Sequence, residues 1–237
     1  MPCNKNLMDE FKKKFKERFE QEWDPETFDW DLQSYTIAKY FSEYFDCWWD
    51  PEKFDYYGSS PYLAEYCSDH FHKWWDPDKY SWSVGSCSLA THCSEYFYSW
   101  WDPDRFNWEE ASCVLAIACS DYFHVWWDPE KFNMEDYDCL VQTCSEYFTV
   151  WWDPDRFDWE SKSWMLPMYA HQHFDIWWDP KRFNWEHSYY LAWHCSKFIK
   201  KWWNPKYFQQ PYVIKKLFEY CRPYKHIWLP TLSLAKQ

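Results

Sequence analysis

Cysteine and histidine are the first residues to test for chemistry, because thiolates and imidazoles bind metals and serve as nucleophile and base. The chain has eleven of one and nine of the other. Cys67, Cys93, Cys119, Cys144 and Cys195 recur at one spacing, and Cys87, Cys113 and Cys139 at another. A metal centre needs converging ligands. Cys87 and Cys93, or Cys113 and Cys119, stand six apart on one expected helix and do not share a face. The ladder therefore reads as small, buried packing residues, since an un-ionised cysteine behaves as a compact apolar group. His92 and His194 each precede a ladder cysteine, and His171 and His173 are two apart. Such near neighbours on a helix point in different directions, so these read as surface or packed imidazoles. The cysteine count is odd, no CxxC pair occurs, and the polar N-terminus lacks the apolar segment of a signal peptide. Reduced thiols in a cytoplasmic protein are expected.

Carboxylates come next, since paired acids do hydrolytic acid–base work. Here Asp102 and Asp104, like Asp128 and Glu130, belong to a motif that returns in unit after unit. A catalytic pair is normally unique, so capping and helix-dipole compensation are the expected roles. The chain has 23 Trp and only two Gly. Rows of exposed aromatics can cage a quaternary ammonium or stack on sugars, yet glycine this scarce supports neither tight hairpins nor phosphate-cradling loops. No nucleophile–base pair, metal quartet or nucleotide loop emerges. A non-enzymatic protein without cofactors is expected.

The elements that would position these residues follow from the period. The Asp of each WWDP-x-x-F-x-W motif falls at 24, 50, 76, 102, 128, 153 and 179, with Asn204 last. Steps of 25 or 26 residues mark tandem units, each too small to bury its own apolar face. In "WWDPDRFNWEE", Asp102 is placed to cap a turn and Pro103 sits where its missing N–H costs nothing. Trp101 and Phe106 have hydrophobic-staple spacing, and Asn107 with Glu110 forms a capping-box pattern. Asp29, Asp55, Ser81, Asn133, Asp158 and Asn184 hold that second cap position elsewhere. Each unit should be a short helix of about a turn, then a helix of about 18 residues ending at the next WW. Leu115, Cys119, Tyr122, Phe123, Trp126 and Trp127 recur at steps of three and four along it. Gly58 and Pro61 should delay one long helix, with Ser60 as its cap, and Pro167 should kink or delay another.

The expected fold is all-α: an α-solenoid of about seven to eight 26-residue helical repeats forming one domain. Residues 1–22 would be an N-terminal capping helix carrying Phe11, Phe15 and Phe19, 23–203 the repeats, and 204–237 a basic C-terminal cap. The distinct, more basic ends suggest genuine caps. This logic is similar to that of tetratricopeptide, pentatricopeptide and HEAT arrays. The period is shorter, and WWDP-x-x-F-x-W matches none of their motifs.

Charge is segregated. Residues 1–20 carry a net +2, 21–194 a net −23 and 195–237 a net +8. An acidic body repels nucleic acid and attracts basic partners. No apolar run reaches the length of a transmembrane helix. Two sets of positions vary between units: Lys39, Glu65, Thr91 and Ile117, then Asp46, His72, Tyr98, His124, Thr149, Asp175 and Lys200. Seven apart in the unit, they should fall on one helical stripe, which is the candidate face for a partner. The expectation is a scaffold for a protein or peptide of basic or mixed charge. The alternatives are head-to-tail self-association through the acidic and basic regions, or an acidic mimic of nucleic acid that blocks a binding groove.

Overall fold

A repeat is easiest to build from Asp102. Its Oδ1 accepts the Asp104 N–H at 3.0 Å, and its carbonyl accepts the Phe106 N–H at 3.0 Å. The DPDRF stretch is thus a single capped turn. Asn107 then caps the helix Trp108–Ala118, its Oδ1 accepting from the Glu110 N–H. The segment expected to be one helix of about 18 residues breaks at Cys119, and a 3-10 turn, Ser120–Tyr122, leads into a four-residue helix, Phe123–Trp126. The break has a chemical partner. The Cys119 carbonyl accepts the Tyr122 N–H at 3.0 Å and the Trp126 indole N–H at 2.7 Å. Long and short helices do alternate, with the short one after the long one.

The computed structural model describes residues 3–234, with side chains as far as Leu232. It is an all-α helical-repeat solenoid, with no strand among the described residues. The chain divides into two compact units, Met1–Phe132 and Asn133–Gln237. In the first, the helices Trp30–Tyr40, Tyr56–Tyr66, Trp82–His92 and Trp108–Ala118 pack in succession. In the second, Tyr137–Thr143, Met165–Tyr169, Ser188–His194 and Pro211–Tyr220 do the same.

The one-residue slips in the period have a local cause. After Asn133 and after Asn184, the first turn is 3-10 (Met134–Asp136 and Trp185–His187) before the α-helix begins. A 3-10 turn uses fewer residues than an α turn. These are the two units of 25 residues.

Proline behaves differently at its two anomalous sites. Pro61 lies inside Tyr56–Tyr66, which is capped by Asp55 and starts on time; Ser60 is no cap and donates to the Tyr56 carbonyl at 2.5 Å. The N–H that proline lacks would have met the carbonyl of Tyr57, an exposed residue where water can take its place. Pro167 neither delays its helix, which starts on time after Asp158, nor leaves it continuous, but splits it into Trp159–Lys162 and Met165–Tyr169. Its ring crowds the carbonyl four residues back, at Ser163, where the helix parts.

Successive repeats are joined by polar as well as apolar contacts. Ser34, Ser60 and Ser86 are buried; each donates to the carbonyl four residues back and accepts the amide N–H of Asp55, Ser81 or Asn107 in the next repeat, each at 3.0 Å. The thiols of Cys67, Cys93 and Cys119 reach back to the carbonyls of Ala38, Ala64 and Ala90 at 3.7–3.8 Å. Tyr96 lies flat on Phe71 at 4.6 Å between centroids, and Tyr122 on Phe97 at 4.4 Å. In the second unit Phe198 lies on Phe174 in the same way.

Both terminal segments pack onto neighbouring repeat elements. In the helix Lys5–Phe19, Phe11 and Phe15 are fully buried against Trp23, Phe41 and Phe28. A Cys3–Cys47 disulfide ties this end to the first repeat, and Cys113 and Cys139 are each disulfide-bonded. The expectation of uniformly reduced thiols is therefore corrected; the first of these bonds adds a covalent tie to the aromatic packing at this end. At the other end the basic cap proves to be a further repeat. Cys221 continues the ladder, donating to the Ala192 carbonyl, and the Trp228 indole N–H donates to the Cys221 carbonyl.

Candidate partner-binding surface

The break at the ladder residue decides the geometry of the variable positions. Lys39, Glu65, Thr91 and Ile117 end the long helices, while Asp46, His72, Tyr98, His124, Thr149, Asp175 and Lys200 lie on the short ones. The single helical stripe is corrected to two separate positions within each repeat, because the chain turns between them. Ten of the eleven are exposed, Tyr98 at 71% and Ile117 at 55%; Asp46 is half-buried. Val150 and Ile176 extend the exposed apolar surface beside Thr149 and Asp175.

Several of these side chains also touch the next repeat. His72 meets the Tyr96 ring edge-on at 5.1 Å between centroids, and Tyr98 meets Tyr122 at 5.3 Å. The Lys39 ammonium lies 5.7 Å from the Tyr66 ring. Asp46 pairs with Lys73, and Asp175 with Lys201, each at 2.5 Å. Partial burial would raise the Asp46 pKa, but the Lys73 hydrogen bond and charge prevail and hold it below the usual carboxylate value. These contacts orient the row while leaving ring faces and edges in solvent.

The repeated carboxylates have a role that sequence reasoning missed. The acid after each proline pairs with the cation of the next turn: Glu26 with Lys53, Glu52 with Lys79, Asp78 with Arg105 and Asp104 with Lys131, at 2.5–2.8 Å. Asp155 with Arg182 repeats the pair in the second unit. The same cations also donate to a proline carbonyl of the preceding turn. The signal was present. Thr27 replaces the cation where the helix Lys5–Phe19, without a DP turn, comes before, and Lys181 is followed one repeat on by a turn whose cation has become Tyr207.

Where that ladder ends, an open groove of about 810 Å³ appears, lined in part by Trp185, Glu186, His187, Lys206, Tyr207 and Tyr212. Trp185 and Tyr207 stack in its wall at 4.1 Å between centroids. Beside it, His187 Nδ1 lies 3.0 Å from Ser163 Oγ, a nucleophile–base pair by residue type alone. Ser163 is completely buried, and its oxygen already accepts the Asn184 N–H at 3.2 Å. Burial holds the His187 imidazole below its ordinary pKa, with the Glu186 charge acting the other way. The contact fills the place that Ser86 holds in its own repeat, joining one helix to the next cap.

The fold and surface together define a class, a tryptophan-rich helical-repeat protein with its constant residues turned inward. No protein-family model matches the chain, and neither does any curated protein or any solved structure. Among the described residues no helix is long and apolar enough to cross a membrane.

Proposed function

We propose that this chain is a non-catalytic scaffold that binds a protein or peptide of basic or mixed charge along its variable rows. One observation carries the reading. The constant Trp and Ser residues spend their chemistry inside the array, in indole-to-carbonyl bonds and serine bridges, and the recurring DP-turn charges pair with one another at the surface, whereas most positions that differ between repeats stay exposed without being needed by the fold. Exposed aromatic and branched apolar side chains such as Tyr98 and Ile117 are the residue types that anchor partners, and the net −23 over residues 21–194 favours cationic segments. The buried ladder thiols suit a reducing compartment and the Cys3–Cys47 disulfide an oxidising one, so the proposal is made for either.

The test pans the full chain against displayed peptides of basic and mixed charge, then repeats the titrations with Tyr98→Ala, Ile117→Ala and Glu65→Lys. Selected peptides should lose about tenfold or more in affinity, roughly 1.4 kcal/mol, with the unfolding midpoint unchanged. Peptides indifferent to all three substitutions would remove the rows from the reading.

Self-association is favoured by a separate feature. In the last repeat Tyr212 and Phe218 are 55% and 54% exposed beside the cation Lys215. Such an end can meet the acidic body of another copy. Light-scattering mass should then fall as salt rises, and Phe218→Ser with Lys215→Glu should give a monomer at all salts. A wild-type mass that is monomeric at low salt rules this reading out.

A further inference from the structure

The seams between repeats are closed by serine. Ser34, Ser60, Ser86 and Ser163 each accept the amide N–H of the following cap residue at 3.0–3.2 Å. Ser188 holds the same place at the last seam and is 1% exposed, but among the described residues its hydroxyl has no hydrogen-bond partner. The sequence supplies the reason. Gln209 stands where other repeats carry the capping Asp, Ser or Asn, and Gln210 where Trp108 and Trp185 stand in theirs. The helix Pro211–Tyr220 starts without a side-chain cap, and no cap closes over Ser188. The open groove of about 810 Å³ lies at this seam, with Ser188 in its wall. Between Ser86 and Asn107, where the bridge is made, the matching cleft holds about 340 Å³.

The groove brings unspent polar groups together. His187 gives Nδ1 to Ser163 and keeps Nε2 without a protein partner among the described residues. Glu186 and Lys206 line the same groove and, among the described residues, form no ion pair. Gln210 adds an exposed amide. Aromatic rings stand around these groups. Trp185 and Tyr207 stack at 4.1 Å between centroids, and Tyr212, 55% exposed, meets Tyr189 edge-on at 6.0 Å.

These residues narrow the ligand. A phosphate would meet one cation, Lys206, against the Glu186 carboxylate. A quaternary ammonium needs open ring faces around it, whereas Trp185 and Tyr207 lie against each other and the Lys206 ammonium already sits 5.4 Å from the Tyr207 centroid. An apolar molecule would leave the hydroxyl, imidazole and amide unmet. A sugar ring matches both halves of the site, with hydroxyls that donate and accept and a C–H face that packs on aromatic rings.

We propose that this groove is a carbohydrate site, taking a neutral sugar unit of an oligosaccharide with its hydroxyls on Ser188, His187 and Gln210 and its C–H face on the aromatic wall. The volume lies within the roughly 300–1,000 Å³ of small-molecule sites, and the open form lets the remaining sugar units run into solvent. The site is separate from the variable positions proposed to bind protein.

The test applies the full chain to a printed array with protein-type glycans in one field and polysaccharide fragments in another, so the field that binds names the source. The strongest hit is then titrated by calorimetry at low and high salt. Binding should hold across salt, because the ligand is uncharged. Ser188→Ala and Tyr212→Ala should each weaken it about tenfold or more while leaving the unfolding midpoint unchanged, since Ser188 bridges nothing. Tyr98→Ala, outside the groove, should bind sugar as the wild type does, which keeps failure here distinct from failure of the protein-binding reading. No sugar bound in either field, affinity that falls away with salt, or binding indifferent to both groove variants overturns the proposal. Should Tyr212→Ala fail to fold, Gln210→Ala, at an exposed position, takes its place with the same outcomes deciding.

Discussion

At the residue scale, the tryptophans divide into three kinds of work. The first of each WW is buried, and its indole N–H satisfies a ladder carbonyl: Trp74 on Cys67, Trp100 on Cys93 and Trp177 on Ala170, at 2.7–2.8 Å. The second packs on the Phe or Tyr of its own turn, as Trp101 does on Phe106 at 5.2 Å. The third returns its N–H to the proline carbonyl, as Trp108 does to Pro103 at 2.8 Å. Apolar bulk alone would have allowed Phe at the first and third positions; the single donor is what Trp adds. The staple and the caps were legible because they are local. The serine column at 34, 60, 86 and 112 was equally visible as a period, but small polar residues give no apolar signal, so it went unread. Its importance is testable. Ser86→Ala strips the Asn107 N–H of its partner and should cost about 1–3 kcal/mol in urea unfolding, while Ser99→Ala on the exposed surface should stay within about 0.5 kcal/mol. Equal effects would deny the bridge.

At the element scale, the broken helix shows where pattern reading reaches its end. Leu115, Cys119, Tyr122, Phe123 and Trp126 keep steps of three and four, and both α and 3-10 turns satisfy such steps. The break at Cys119 becomes visible only when a side chain arrives to bond the carbonyl. Tyr80 and Gly85 are a second case. Tyr80 stands where other repeats have Phe, and its hydroxyl donates to the Gly85 carbonyl at 3.0 Å. A Cβ on Gly85 would lie 2.4 Å from the Tyr80 ring and hydroxyl. The next repeat has Phe106 with Ala111, a workable pair without the hydroxyl. Gly85→Ala should therefore destabilise by about 1–3 kcal/mol, and Tyr80→Phe should restore much of the loss by freeing the ring to shift. A double-mutant cycle reads the coupling; strict additivity would mean the two residues are independent.

At the scale of the whole molecule, stability is linked to pH through the buried ladder. Burial pushes the thiols of Cys93, Cys119 and Cys221 up to about 12 and that of Cys144 to about 11, from 9.0. The folded chain keeps protons that the unfolded chain releases near 9, so the stabilisation is full below pH 9 and is lost as pH rises from about 9 toward 12. Urea midpoints should be level from pH 7 to 8.5 and fall steadily above 9, and native ladder thiols should resist alkylation at pH 8. A midpoint that holds through pH 10.5 would show the thiols to be reachable or already ionised. Charge segregation also looks different once folded. Much of the negative charge on the DP turns belongs to exposed ion pairs that solvent screens, so the ladder sets alignment more than stability.

The helical class, the caps and the staples were determined by the sequence itself, because each rests on residues within about one turn of each other, and the period because that local code recurs every 25 or 26 residues. Three-dimensional packing alone decided where the long helix breaks, which acid meets which cation 27 residues on, and that the C-terminal segment is another repeat. The division has one physical cause. Backbone capping and steric fit act over a few residues, whereas a buried donor finds its acceptor wherever the folded chain places it, one repeat away or more.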